Sequence, residues 1–276
     1  MKTKFLLLPF ACTLLLAACN KNSDYTPSVT ETGLIAFSAD GDGINTQVST
    51  KASPVTSLTS FNVTASKGTT ETAVFENVSF TGSPNYTGGK FWPSTDQSYH
   101  FYASNASMTF SPSAVTVSPA NANTDVIVAK LATPTYKASN KLTFKHVFAR
   151  IGTITLNAPA GYTLSGTPTF ALSAPVSGTY DIKSDAWSVK GTAAAQTLGS
   201  GANDVWVVPG TYELSVTYTL TKGDYTQTFT KKASVALAQG KISNITATAP
   251  DGAASGITLT VELTPWETTS LSITLG

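Results

Sequence analysis

Cys19 is the residue of this chain whose surroundings most clearly predict a chemical modification. It ends the sequence Leu16-Ala17-Ala18-Cys19, which closes an apolar run that begins at Phe5 behind Lys2 and Lys4. A short basic segment, an apolar run too short to span a bilayer and small residues before a cut mark an exported signal peptide. The pattern predicts cleavage between Ala18 and Cys19 and attachment of lipid to the Cys19 thiol.

Lipid on Cys19 would anchor the mature chain, because several acyl tails hold a protein on a membrane where one does not. The alternative is an ordinary secretory peptide with an incidental cysteine. We predict a signal peptide over residues 1–18 and a polar tether over residues 19–32. Cys12 is the only other cysteine and lies in the signal peptide. No disulfide can therefore form within the mature chain, and its core alone must hold the fold.

The other residues with chemical potential do not combine into a recognisable catalytic or metal site. His100 and His146 each lie in a strand pattern among aromatic residues and have no third ligand at zinc-like spacing, so we predict core or interface histidines. Asp181 and Asp185 could serve as acid and base, but sixteen acidic residues supply such pairs by chance. The segment 40–45 resembles a calcium loop without its distal glutamate, which favours a turn. We predict no enzyme, cofactor or metal.

The composition limits the class of protein further. The chain has seventeen basic and sixteen acidic residues, so its net charge is close to zero and does not suggest nucleic acid as a partner. Charged residues make up 12% of the chain, about half the ~25% usual for a soluble protein. Serine, threonine, glycine and asparagine take their place, which is typical of β-rich exported proteins.

Apolar and polar residues alternate with a period of two, which predicts strands with one buried face. The pattern is clearest over 212–220 and 257–263. Further strands are predicted at 34–38, 61–65, 75–80, 99–104, 125–131, 142–156, 169–172, 205–208, 225–230, 234–238, 242–247 and 270–275. Turns are predicted at Gly88-Gly89, 158–161, Pro209-Gly210, 222–224 and 250–252. Short strands at this spacing predict an all-β body of β-sandwiches.

The stretch 142–156 departs from simple alternation, because apolar residues fall on both of its faces. One face would carry Leu142, Phe144 and Phe148, and the other Val147, Ala149 and Ile151. We predict a single strand buried on both sides. The run 133–140 before it is a predicted linker, so we place an N-terminal domain at 33–138 and a C-terminal domain at 139–276.

Several segments occur in an order that resembles a known family. They are Leu34-Ile35-Ala36-Phe37-Ser38; Thr50-Lys51-Ala52; 58–65; Phe91-Trp92-Pro93 followed by 99–103; 142–151 with its Phe-x-His-x-x-Ala-Arg pattern; and Val208-Pro209-Gly210, 237–245 and 261–266. Together they resemble the fimbrillins, the type V pilins and fimbrillin-like lipoproteins of anaerobic Gram-negative bacteria. The resemblance covers nearly the whole mature chain.

The resemblance implies two tandem transthyretin-like β-sandwich domains and assembly into an adhesive fimbria. A lipidated precursor would reach the outer membrane and the cell surface, where a trypsin-like protease would cut between Lys51 and Ala52 and remove the first strand. A C-terminal strand of another subunit would fill the groove, with Leu271, Ile273 and Leu275 as the candidate donor. The implied partners are other fimbrial subunits, the outer membrane through the lipid anchor, and a host or bacterial surface ligand.

The chain departs from the family at the processing site. Stalk pilins of the family are usually cut after arginine, but the one arginine here is Arg150, inside a predicted buried strand. Lys51 is the basic residue at the matching position. If Lys51 has no processing role, the resemblance implies an anchor or accessory subunit.

A second function stays open at this point. The chain could be a surface glycan- or protein-binding lipoprotein that does not polymerise, with Trp92, Tyr99, Tyr102 or Trp187 as a stacking platform.

Overall fold

The computed structural model describes residues 33–41, 58–92, 98–119, 125–250 and 257–265. Within these ranges the chain is all-β, as predicted, and no helix is long and apolar enough to cross a membrane. The strands are β1 Leu34–Gly41, β2 Ser60–Lys67, β3 Thr72–Thr81, β4 Tyr86–Phe91, β5 Tyr99–Ser104, β6 Met108–Phe110, β7 Val115–Val117, β8 Ile127–Leu131, β9 Ser139–His146, β10 Ala149–Asn157, β11 Thr163–Ala174, β12 Gly178–Asp181, β13 Ala186–Lys190, β14 Ala194–Leu198, β15 Gly201–Val207, β16 Gly210–Lys222, β17 Tyr225–Leu237, β18 Lys241–Thr248 and β19 Thr258–Pro265.

The N-terminal half forms a closed sheet in the order β1-β4-β3-β2-β5-β8-β9. A parallel pairing of β1 with β9 completes the closure. The interior is rich in aromatic side chains, among them Phe37, Phe61, Phe80, Phe101 and Phe144. Burial of this apolar surface stabilises the sheet, whose described residues include no cysteine.

The C-terminal half is a β-sandwich. One sheet has the order β15-β10-β18-β19 and the other β14-β11-β16-β17, and both contribute to one core. In β16 the alternation predicted from sequence is confirmed, since Leu214, Val216 and Leu220 are buried. The opposite face of β16 carries hydroxyl groups, such as that of Thr217, which lies 2.9 Å from the Thr230 hydroxyl on β17.

A fourth sheet of short strands, the small sheet, joins the two halves. Its order is β13-β12-β7-β6, so two of its strands precede the central stretch and two follow it. It shares a core with both halves that includes Val115, Phe148, Tyr180 and Trp206. The halves are therefore connected by a continuous packed core.

A buried carboxylate reinforces this joint. Glu71, in the turn between β2 and β3, accepts hydrogen bonds from Ser66 Oγ at 2.9 Å and Tyr102 Oη at 2.8 Å. Its other oxygen lies 2.9 Å from Nζ of Lys183, which belongs to the turn between β12 and β13. Burial by itself would raise the pKa of Glu71, but these hydrogen bonds and the Lys183 charge lower it below the ordinary value. Glu71 therefore stays ionised and ties the closed sheet to the small sheet.

The central stretch corrects one prediction, because 142–156 is not a single strand buried on both faces. β9 ends at His146, β10 begins at Ala149, and residues 147 and 148 form a bend between them. Phe144 lies in the core of the closed sheet, Phe148 in the shared core and Ile151 in the core of the sandwich. The chain passes three cores in succession, which places apolar residues on both faces of an apparent strand.

Two further predictions are wrong. The predicted strands 225–230 and 234–238 are one strand, β17. Gly88-Gly89 lies inside β4 rather than in a turn. A Cβ on Gly88 would lie 2.6 Å from the Phe80 ring, so glycine is required there by a close approach within the sheet. The predicted turns at 158–161 and 222–224 are confirmed, since each separates consecutive strands.

Strand pairing bears on the predicted domain boundary. β9 was assigned to the C-terminal domain, yet it pairs with β1 and β8 of the closed sheet. The predicted linker 133–140 joins β8 to β9 and includes the first two residues of β9. The division into domains stays a prediction, and the pairing favours a boundary after His146.

We predict that Phe148→Ala lowers the free energy of unfolding by about 3–5 kcal/mol, because it leaves a cavity in the shared core. Phe148 is buried, and its ring centroid lies 5.2 Å from that of Trp187. Urea denaturation followed by tryptophan fluorescence measures the change. The control is Tyr225→Ala, which removes a ring that is 45% exposed and should be nearly neutral. An unchanged midpoint for Phe148→Ala would contradict the burial of this ring.

Candidate assembly site around the first strand

β1 lies in a slot between two strands of the closed sheet. On one side it runs antiparallel to β4, with Ala36 opposite Thr87 and Phe37 opposite Tyr86. On the other side it runs parallel to β9, from Ala36 opposite Ser139 onwards. Without β1, the facing edges of β4 and β9 would expose unpaired backbone groups. We call this slot the β1 groove.

Phe37 is the side chain that anchors β1. It is 0% exposed, and its ring centroid lies 5.2 Å from that of Phe80 and 5.1 Å from that of Phe101. A third ring, that of Phe61, lies 6.5 Å away. The tilted and edge-on arrangements are those that aromatic pairs prefer. These three rings, Phe61, Phe80 and Phe101, form what we call the phenylalanine cage.

The neighbouring positions of β1 have distinct environments. Ile35 and Ala36 are buried, whereas Asp40 is partly exposed. The Asp40 carboxylate forms an ion pair with Nζ of Lys141 on β9. An exposed pair of this kind contributes little to stability, but it matches one charge on β1 to one charge on its neighbour.

The start of β1 is held by a separate set of contacts. The backbone N–H of Trp92 donates to the carbonyl of Gly33 at 2.9 Å. The Trp92 ring is in edge contact with the Tyr136 ring, at a centroid distance of 5.6 Å. The loop between β8 and β9, which carries Tyr136, therefore packs beside the entry of the chain into the β1 groove.

The family model described as fimbrillin-like matches residues 46–266 of this sequence. The chain belongs to the fimbrillin-like family. The resemblance predicted from the ordered segments is confirmed.

Solved structures share the fold at low sequence identity. A structure described as that of a cell adhesion protein from Bacteroides uniformis gives a TM-score of 0.54 at 17% identity, covering 86% of this chain and 99% of that chain. Another, from Parabacteroides distasonis, gives 0.50 at 10% identity, covering 84% and 100%. A fimbrilin from Porphyromonas gingivalis gives 0.45 at 12% identity, covering 84% and 97%. No curated protein sequence matches the chain.

The residues predicted to carry lipidation, processing and donation lie outside the described residues of this fimbrillin-like chain. They are Ala18, Cys19, Lys51, Ala52, Leu271, Ile273 and Leu275. These assignments stay predictions. The order of the chain nevertheless predicts what cleavage after Lys51 would do, since β1 is the only described strand that precedes this residue. A cut after Lys51 would leave β1 held by non-covalent contacts alone.

The aromatic residues proposed as a stacking platform do not form one. Trp92, Tyr99 and Tyr102 are buried. Trp187 is half-buried, and its indole N–H donates to the carbonyl of Val147 at 3.1 Å. A cleft of about 210 Å³ lies beside Glu71, and its lining includes Glu71, Tyr102 and Lys183. Together with Ser66, these residues form the set of contacts that we call the Glu71 clamp. The described surface therefore offers no support for ligand stacking at these positions.

The two aspartates considered as an acid–base pair have structural partners. Asp181 accepts hydrogen bonds from the backbone N–H groups of Val115 and Lys183. Asp185 accepts from the Tyr180 hydroxyl and is ion-paired with Lys145. Burial by itself would raise the pKa of each carboxyl group, but these contacts lower both below the ordinary value. Both are bound as structural anions.

For His146 the prediction of a core histidine is confirmed. His146 is buried, and its Nδ1 lies 2.8 Å from Oδ2 of Asp125. His100 lies on β5 and is partly exposed. Among the described residues, no group of three or more histidine, cysteine, aspartate or glutamate side chains is placed to hold a metal ion. Asp40 and Gly41 of the calcium-like segment end β1, and residues 42–45 lie outside the described ranges.

Sequence reasoning missed the two walls of the β1 groove. β4 is hidden by Gly88-Gly89, which predicts a turn, although the aromatic residues Tyr86 and Phe91 at its two ends are consistent with a strand. β9 was merged into a longer strand. The alternation of Asn140, Leu142, Phe144 and His146, all buried, is the signal that could have separated it.

We predict that Phe37→Ala lowers the free energy of unfolding of the closed sheet by about 3–5 kcal/mol, because it empties the phenylalanine cage. The matched control is Phe91→Ala, which removes the same side chain from β4 in the same sheet, where it is 60% exposed. Denaturant titration and amide exchange of β1, β4 and β9 measure the effect. Equal losses for the two variants would contradict an anchoring role of Phe37.

Proposed function

We propose that this chain is a structural and adhesive subunit of a cell-surface fimbria, a type V pilus, made as a lipoprotein precursor. In the precursor, β1 occupies the place that a strand of a neighbouring subunit takes in the fibre. The observation that carries the proposal is the position of β1. It is paired on both sides, it inserts Phe37 into the phenylalanine cage, and it precedes Lys51. Membership of the fimbrillin-like family and the cell-adhesion descriptions of structures with the same fold support the fimbrial role.

The sequence of events follows from these positions. Lipid on Cys19 anchors the precursor at the outer membrane, on the cell surface. Cleavage between Lys51 and Ala52 then separates β1 from the remainder of the chain. An open β1 groove would expose backbone edges and apolar side chains, which is an aggregation hazard. Keeping β1 in place until processing avoids that exposure.

Assembly would use strand addition, in which main-chain hydrogen bonds give affinity and alternating side-chain pockets set the register. Leu271, Ile273 and Leu275 recur at every second residue, as do Ile35 and Phe37 in β1. The C-terminal segment can therefore present an apolar face to the β1 groove of a neighbouring subunit. We include in the proposal that the two halves are transthyretin-like domains, with the closed sheet as the acceptor.

The proposal includes no enzyme activity. The carboxylates of Glu71, Asp181 and Asp185 have structural hydrogen-bond partners, which supports a non-enzymatic body. The alternative of a non-polymerising binding lipoprotein is weakened by the burial of Trp92 and Tyr99.

The lipid anchor has a direct test. We predict that Cys19→Ser abolishes lipidation and moves the protein from the detergent phase to the aqueous phase, because the serine hydroxyl cannot form the thioether. The matched control is Cys12→Ser, which changes the other cysteine of the chain, within the signal peptide. Phase partitioning and surface labelling of intact cells measure the result. Unchanged partitioning of Cys19→Ser would contradict the anchor.

Strand exchange is tested by limited trypsin digestion of the precursor. We predict that a product beginning at Ala52 appears together with a ladder of multimers. Lys51→Ala should lose both the product and the ladder. Deletion of residues 270–276 should retain the product and lose the ladder, because the donor strand is missing.

The control for this digestion is Lys222→Ala, which removes a turn lysine between β16 and β17 and should leave the ladder unchanged. Multimers formed equally well by Lys51→Ala, or by the tail deletion, would rule out exchange by this route.

A further inference from the structure

The β1 groove has a side-chain requirement that goes beyond apolar alternation. Its central pocket, the phenylalanine cage, encloses Phe37 with three aromatic rings. Phe61 is itself fixed by Tyr86 and Phe144, whose ring centroids lie 4.9 and 5.1 Å away. A closely packed interior of this kind collapses only partly around a smaller side chain. The cage therefore favours an occupant of phenylalanine size.

The positions next to the cage add two further requirements. Ala36 is 0% exposed, so a larger side chain there would overpack the site. Three residues after Phe37, Asp40 forms an ion pair with Lys141 on β9. A matching strand thus has a small residue, then a large aromatic residue, then an acidic residue three positions later.

The C-terminal tail of this chain does not supply that pattern. Over residues 266–276 the only aromatic residue is Trp266 and the only acidic residue is Glu267, its direct neighbour. No register of the tail places an aromatic residue in the cage and an acidic residue beside Lys141. With Ile273 in the cage, the position beside Lys141 falls on Gly276. The tail matches the alternation of β1, but it supplies neither an aromatic ring for the phenylalanine cage nor an acidic partner for Lys141.

We infer that the preferred occupant of the β1 groove is a strand of a different subunit, with the pattern small–aromatic–x–x–acidic, and that this strand binds more tightly than the tail of an identical copy. The inference rests on the proposed function, because it concerns the groove that processing opens. Pairing of identical copies is then the weaker assembly mode. The chain accordingly occupies a junction between unlike subunits.

The test uses the full chain carrying Phe37→Ala, in which β1 is weakened and a strand can be supplied in trans. Four fluorescent peptides are titrated: residues 34–41, the same peptide with Phe37→Ile, the same peptide with Asp40→Asn, and residues 269–276. Anisotropy gives the dissociation constants, and amide exchange of β4 and β9 locates the binding. The milder variant Phe37→Leu repeats the series, so that the ranking can be read even where Phe37→Ala folds poorly.

We expect the 34–41 peptide to bind and to protect β4 and β9. The Phe37→Ile peptide and the tail peptide should each bind about tenfold or more weakly, as expected for an underfilled cage. The Asp40→Asn peptide should bind about twofold more weakly at low salt and equally at high salt, because exposed ion pairs are weak and screened.

The remaining outcomes separate this inference from the proposed function. Equal binding of the 34–41, Phe37→Ile and tail peptides, with protection of β4 and β9, overturns the selectivity and leaves strand exchange intact. Absence of binding by every peptide, including residues 34–41, overturns the groove as a strand acceptor, and with it both the strand exchange and this inference.

Discussion

The insertion of Phe37 between β4 and β9 is the contact on which the closed sheet depends. A sheet of this order closes only because β1 pairs with both walls, antiparallel on one side and parallel on the other. The backbone bonds alone would accept any extended segment, whereas the phenylalanine cage fixes one register, since a shift by one residue would turn Phe37 out of the core. The closure of the sheet, the register of β1 and the covering of the apolar β1 groove thus all depend on this one strand.

The joint between the two halves is independent of that strand. The shared core includes Phe148, Tyr180 and Trp206 but no residue of β1. The Glu71 clamp likewise joins the turn after β2 to the turn after β12, with the carboxylate kept ionised by its donors. Loss of β1 would therefore open the closed sheet locally and leave its attachment to the sandwich intact. A subunit that lost β1 by the proposed route would therefore keep this attachment.

The alternation of apolar and polar residues predicts the strands that have one solvent-facing side and one buried side. In β16 the buried residues Leu214 and Val216 alternate with partly exposed serine and threonine residues, so the period of two is sufficient. The pattern failed where tertiary packing overrode it. Gly88 suggested a turn because its real cause, the Phe80 ring lying over β4, is a long-range contact. The stretch after Leu142 suggested one deeply buried strand because it passes three separate cores. Nor does any local signal encode the parallel pairing of β1 with β9.

Under the proposed strand exchange, the phenylalanine cage would give Phe37 two roles: it holds β1 in the precursor, and it sets the size of the side chain that can take its place. A donor strand must recover the backbone bonds of β1, which any sequence can do, and also the ring contacts of Phe37, which few sequences can. The first requirement would make the proposed exchange possible, and the second would make it selective. Because Lys141 forms an ion pair with Asp40 on β1, the inferred recognition would also include the charge of the donor strand. Such a groove would distinguish a donor strand with both features from a tail that is merely apolar and alternating.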